Sequence, residues 1–179
     1  EMFDPNLAVG EPDGKVCRVM FEGLMREDPQ TLEPRPGMAY RWELSEDGHV
    51  YKFHLRPGIV WSDGHPVTAG DFLYGWRRVL QPANAARYAS MLYPVRNAER
   101  FNSGALTVAD SIGIAAPDDS TFVVTLNSPT AYFLYLTQFY TCMPAPRWAV
   151  EKFGARWVRP ENAVTNGAFR LTHWRQNDR

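Results

Sequence analysis

The chain has 179 residues, with 19 basic and 20 acidic side chains and a net charge of -1, so no charge excess argues for nucleic acid as a partner. Its 45% hydrophobic and 13% aromatic content can fill a core, which excludes a disordered chain, and no apolar run is long enough to span a bilayer as a helix. It opens on Glu1 and shows no signal peptide, as expected of a processed or excised chain.

In chain order, residues 1–14 are rich in Pro, Gly and Asp and read as a loop. Residues 15–24 read as a helix, with Val16, Val19, Met20 and Leu24 at helical spacing. Residues 26–38, with Pro29, Pro34, Pro36 and Gly37, read as an extended connector. A strand is predicted over Ala39–Leu44, a tight turn at Asp47-Gly48, and an antiparallel return over Val50–Leu55. In that return Tyr51, Phe53 and Leu55 alternate with Lys52 and His54, so one face is buried and the other wetted.

Pro57-Gly58 and Ser62-Asp63-Gly64 supply two further turns. Thr68 then reads as a helix N-cap with Asp71 at the capping-box position. Phe72, Trp76, Val79 and Leu80 share one face of the helix, and Pro82 stops it. A polar stretch of small residues, 83–90, and a helical turn at 97–101 follow. A second hairpin is expected from 111–115 and 121–126, joined by Pro117-Asp118-Asp119-Ser120. Residues 131–136 suit either a short helix or a buried strand. Arg147–Phe153 reads as a helix ending at Gly154, 158–167 as a loop, and 168–174 as a last strand. Hairpins with a few interspersed helices make a mixed α+β or α/β fold.

Catalytic chemistry has no anchor in this pattern. Asp63, Asp71, Asp118 and Asp119 sit at turns or caps, where short acids bond local backbone N–H groups. His49, His54, His65 and His173 are dispersed and form no metal-ligand pair. Ser62-Asp63-Gly64 is not a nucleophile elbow. Gly10 and Gly14 before a helix lack the lysine and hydroxyl of a phosphate loop. No cofactor and no metal is expected. Cys17 and Cys142 are two buried free thiols or one disulfide, the free thiols being preferred because spacing alone brings no Cα atoms together. Most aromatic residues fall on buried faces, but Tyr88 lies in a polar loop where an exposed ring can meet a ligand.

The stretch FHLRPGIVWSDGHPVTAGDFLYGWRRVLQP resembles the signature region of the periplasmic oligopeptide-binding proteins, the large solute-binding subunits of peptide ABC transporters. Phe21-Glu22-Gly23-Leu24, Pro36-Gly37, Tyr88-Ala89-Ser90, Pro117-Asp118-Asp119, Val150-Glu151-Lys152-Phe153-Gly154 and Val164-Thr165-Asn166-Gly167-Ala168 resemble the same family in the same order. The resemblance implies a fragment of a type II periplasmic-binding-protein fold. Residues 1–22 and 147–179 would be part of ligand-binding lobe I, and 23–146 the additional β-rich domain inserted in it. The second lobe, with the acid that holds the peptide's amino terminus, would lie beyond Arg179.

The resemblance further implies an exported, periplasmic protein that is monomeric and no enzyme. Its partners would be a peptide ligand and the ABC transporter permease subunits. Val9, Gly10 and Glu11 fall on the loop that pairs with the peptide backbone, and Tyr88 on a position that touches ligand from the additional domain. Val9 stands where oligopeptide-specific members can carry glutamate, while Asn166 and Gly167 are expected to shape the turn back into lobe I. Ligands of the wider superfamily, namely dipeptides, murein peptides, haem, nickel chelates and opines, are alternatives. A hydrolase and a chaperone-like interaction module are the readings from other classes.

Overall fold

The computed structural model describes residues 3–174. Its centre is the stretch around the Thr68 cap. The Thr68 backbone N–H donates to Asp71 Oδ2 at 2.8 Å and the Asp71 N–H is held by Thr68, which completes the capping box and starts an amphipathic helix at Ala69–Leu80. The Trp61 indole N–H also donates to Asp71 Oδ2, at 3.1 Å. Burial raises the Asp71 pKa, against the lowering effect of these donors.

Labelled in chain order, the elements are α1 (Glu11–Met20), β1 (Met25–Glu27), β2 (Pro34–Pro36), β3 (Ala39–Leu44), β4 (Val50–Leu55), α2 (Ala69–Leu80), α3 (Ala98–Asn102), β5 (Ile114–Asp118), β6 (Thr121–Thr125), α4 (Phe133–Thr137) and α5 (Arg147–Phe153). Short 3-10 turns link several of them. β3, β4, β6 and β5 form, in that spatial order, an antiparallel sheet, with Phe53 opposite Trp42 on one side and Phe122 on the other. Gly48 takes φ 72° in the β3–β4 turn, the left-handed conformation that the Asp-Gly pair supplies.

α2 lies across the inner face of this sheet. The Trp76 ring stands edge-on to Phe122 at 5.1 Å and to Phe133 at 6.4 Å, and Phe72 packs on Phe122 at 5.9 Å. The Trp76 N–H donates to the Cys142 carbonyl at 2.8 Å, so this large ring is buried without an orphan donor. One apolar cluster runs from Phe3 through these residues to Trp157 and Val164.

Several expectations are corrected. α1 begins at Glu11, four residues before the start expected from periodicity, because Gly10 takes φ 96° and Pro12 suits the first helical turn. Its buried side carries Gly14, Cys17 and Met20, leaving Val19 exposed. The connector at 26–38 is a hairpin of β1 and β2, closed by an Asp28 carboxylate that accepts from the N–H groups of Gln30 and Thr31. The second hairpin sits at Ile114–Asp118 and Thr121–Thr125, with 109–111 in a 3-10 turn. Residues 131–136 resolve as a turn followed by helix, α4 starting at Phe133. Residues 168–174 form no strand: the Gly167 and Phe169 N–H groups donate to Met20 and Val19 carbonyls at the end of α1, and no ladder forms.

Both cysteines are buried and free. Burial pushes the Cys17 thiol up to about 12, and pushes Cys142 up as well. Neither therefore carries appreciable thiolate near pH 8. A chromogenic disulfide reagent at that pH should find no fast thiol in the folded protein and two in denaturant. Replacing Trp76 with Ala should lower the unfolding free energy by about 3–5 kcal/mol, measured by denaturant titration, because no neighbour can fill the space between α2 and the sheet.

Candidate functional site

The segment before α1 is fixed by buried polar side chains. Asp4 accepts from both terminal nitrogens of Arg78 on α2 and from the Trp157 indole N–H at 2.9 Å. Arg78 also donates to Asn6 Oδ1 at 3.0 Å, and the Asn6 amide donates to the carbonyls of Thr141 and Met143. The side chains of Arg78 and Asp4 are only 13% and 5% exposed. A planar guanidinium can meet two carboxylate oxygens and a third acceptor at once, and all its partners here are rigidly placed.

Beyond this anchor the chain emerges at Val9. Its side chain is 44% exposed, and neither its N–H nor its C=O, nor the N–H of Gly10, is bonded among the described residues. Gly10 then takes φ 96° and ψ 166°, and its carbonyl opens α1 by accepting from Gly14. Glu11, expected in the loop, is instead the first residue of the helix, where it pairs with Lys15 at 3.6 Å. The anchored segment thus presents a short length of backbone whose polar groups face outward.

The Tyr88 ring is half-buried and does not stand free in its loop. It packs edge-on against Phe139 at 5.4 Å and Tyr140 at 5.9 Å. Tyr140 in turn lies flat against α1 at Gly14: a Cβ there would come within 2.5 Å of its ring. Tyr88 is therefore connected to the Gly10–Glu11 helix start through Tyr140. Burial, and next the hydrogen bond with Tyr88, raise the Tyr140 pKa. One turn further along α1, the Arg18 guanidinium carbon sits 5.9 Å from the centres of both Phe139 and Tyr140.

Arg18 also borders a hollow of about 390 Å³ whose walls include Met25, Gln138, Met143 and Phe169. Gln138 Oε1 is buried there without a partner among the described residues. Just past the C-terminal end of α1, Asn166 pairs both ways with the Glu22 backbone, which ties residues 165–167 to that end of the helix. No group of three or more His, Cys, Asp or Glu side chains able to hold a metal occurs among the described residues. Periodicity missed Asp4, Asn6, Arg18, Phe139 and Tyr140, because their partners lie far away in sequence. The only local hint was the turn-forming run Asp4-Pro5-Asn6.

The profile of the family described as bacterial extracellular solute-binding proteins, family 5 Middle, matches residues 33–179. The chain belongs to this family. It is 43% identical, over 181 aligned positions, to the periplasmic oligopeptide-binding protein OppA of Salmonella typhimurium, covering 100% of the chain and 33% of that protein. It is 38% identical to the probable deoxycholate-binding periplasmic protein YgiS of Escherichia coli, covering 99% of the chain and 33% of that protein. The structure of Haemophilus influenzae OppA in complex with RPPGFSPFR superposes with a TM-score of 0.94 at 40% identity, over 99% of this chain and 34% of that one. The family-5 chain thus spans about a third of the length of these relatives.

The anchor is open to direct test. Exchanging Arg78 for Met should destabilise the fold by about 3–5 kcal/mol, since Asp4 would keep a buried charge without its counter-ion. Arg78→Lys should recover only part of this, because one ammonium cannot serve both Asp4 oxygens and Asn6. Equilibrium unfolding of the two variants at neutral pH measures both effects.

Proposed function

We propose that this chain is the N-terminal part of a periplasmic solute-binding protein that captures oligopeptides and delivers them to the permease subunits of an ABC transporter. The observation that carries this reading is the outward-facing, unbonded backbone at Val9–Gly10, held in place by the Asp4–Arg78 anchor in a chain of the family-5 type. An extended peptide can pair with such a segment as an added strand pairs with a sheet edge. Main-chain pairing ignores side-chain identity, which suits a protein that must accept many sequences. The name of the S. typhimurium relative and the peptide-bound H. influenzae structure support the ligand class.

In this proposal residues 1–22 and 147–179 belong to lobe I, 23–146 form the additional domain, and Val9, Gly10, Glu11 and Tyr88 face the ligand. A second lobe closes over the peptide by a hinge motion, and the protein acts as a monomer. Binding and release break no bond, so no catalytic group is called for.

The complete protein of the reading frame that contains this chain should bind short peptides of unrelated sequence with micromolar or tighter affinity in calorimetry and release them intact. Residues 1–179 alone should bind them weakly or not at all, having one wall of the cleft. Mass spectrometry of ligand carried through purification should find peptides. A single non-peptidic species, such as a bile acid, would overturn the assignment, and cleaved peptide would favour a hydrolase.

A further inference from the structure

The surroundings of Arg18 add a specificity element to the binding reading, on which it rests. The Arg18 guanidinium carbon sits over Phe139 and Tyr140, 5.9 Å from both ring centres. Stacking of this kind fixes a guanidinium while leaving its N–H groups, which lie in its plane, free at the edges. No carboxylate pairs with Arg18 among the described residues, and the same holds for Arg26 on the wall of the same hollow, whereas Arg35, Arg41, Arg56, Arg77, Arg78 and Arg147 are paired. Two of the acids around it are engaged: Glu11 pairs with Lys15, and Glu22, which lines the same hollow, with Arg56 at 3.3 Å.

A second donor stands on the same rings. The Tyr88 ring packs on the same two rings, at 5.4 Å from Phe139 and 5.9 Å from Tyr140, and its phenol O–H is a donor of the kind a carboxylate accepts from. Three of the last four α1 carbonyls, those of Cys17, Val19 and Met20, are covered by the Phe21, Phe169 and Gly167 N–H groups, which reduces the repulsion an anion would meet here. The adjoining hollow of about 390 Å³ offers Met25, Met143 and Phe169 to the stem of an incoming group, while Glu22 and Glu27 on its wall are offset in charge by Arg18 and Arg26. Gln138 Oε1, buried in its wall without a partner among the described residues, is an acceptor and calls for a donor such as a peptide N–H, not for the carboxylate itself.

We propose that Arg18 and Tyr88 form a carboxylate-binding subsite of the peptide cleft, with the hollow beside Arg18 receiving the stem of the acidic group. The carboxylate can come from an acidic side chain or from the peptide's C-terminus. Both present the same planar pair of oxygens to the guanidinium edge.

The test uses the complete protein and three tripeptides, Ala-Glu-Ala, Ala-Gln-Ala and the C-terminal amide of Ala-Gln-Ala, titrated calorimetrically against wild type, Arg18→Met and Arg18→Lys. In wild type, Ala-Glu-Ala should bind at least about tenfold more tightly than Ala-Gln-Ala if the side chain is the source, and Ala-Gln-Ala about tenfold more tightly than its amide if the terminus is. Arg18→Met should erase that preference and Arg18→Lys keep part of it. Equal binding of all three peptides by wild type overturns the subsite. So does a preference that survives in Arg18→Met. A uniform loss for every peptide in Arg18→Met also overturns it, and assigns Arg18 to a protein carboxylate brought in on closure. Failure of any peptide to bind wild type refutes the peptide reading itself and removes the subsite with it.

Discussion

The buried pair of Asp4 and Arg78 is the constraint on which the rest of the molecule depends. It ties the first described residues to the last turn of α2 and, through the Trp157 indole, to the segment after α5. Asn6 extends the tie to the carbonyls of residues 141 and 143, which border the ring cluster. Two charges removed from water cost more than their mutual attraction returns unless every remaining donor and acceptor is met. Here the indole, the amide and the guanidinium meet them, and the result is specificity of position. Three stretches remote in sequence have one relative placement, and the outward backbone at Val9 inherits its direction from it.

A second layer of packing turns that placement into a surface. Gly14 lets Tyr140 lie against the helix, Tyr140 supports Tyr88 and Phe139, and Arg18 rests on two of these rings. The rings contribute shape and the guanidinium contributes sign. Their supports are helices and turns packed into the common core, so the face does not need a ligand to assemble it. In the binding proposal, breadth of recognition through backbone and selectivity through side chains fall to different residues: Val9 and Gly10 for the first, Arg18 and Tyr88 for the second.

Much of the fold was legible in the sequence because its signals were local. The Thr68 and Asp71 pair, the Asp47-Gly48 turn, the alternation of Tyr51, Phe53 and Leu55, and the limits of α5 each follow from a few neighbouring residues. The start of α1 was misplaced because no side chain caps it, although Pro12 and the acids Glu11 and Asp13 were present as weaker markers. β1 and β2 were hidden by prolines that an edge strand tolerates and by a turn in which Leu32, not glycine, takes φ 61°. The strand expected at 168–174 failed because alternation specifies a face and not a partner. The site was the least legible part. Asp4 and Arg78 are 74 residues apart, and nothing in either neighbourhood announces the other.

The Trp61-Ser62-Asp63-Gly64 turn, which marks the family in sequence, has a role in time as well as in space. The Ser62 N–H donates to the Thr165 carbonyl, its hydroxyl accepts from the Thr165 N–H at 3.0 Å, and Asp63 accepts from the Trp148 indole at 2.9 Å. These clasps close loops of 103 and 85 residues. On a growing chain the turn and its helix can form as soon as they are made, but their clasps wait for the far segment. Such long closures are entropically slow. The most recognisable turn in the sequence is therefore among the last pieces to be fastened, and until then the apolar edge around Trp61 is without its cover.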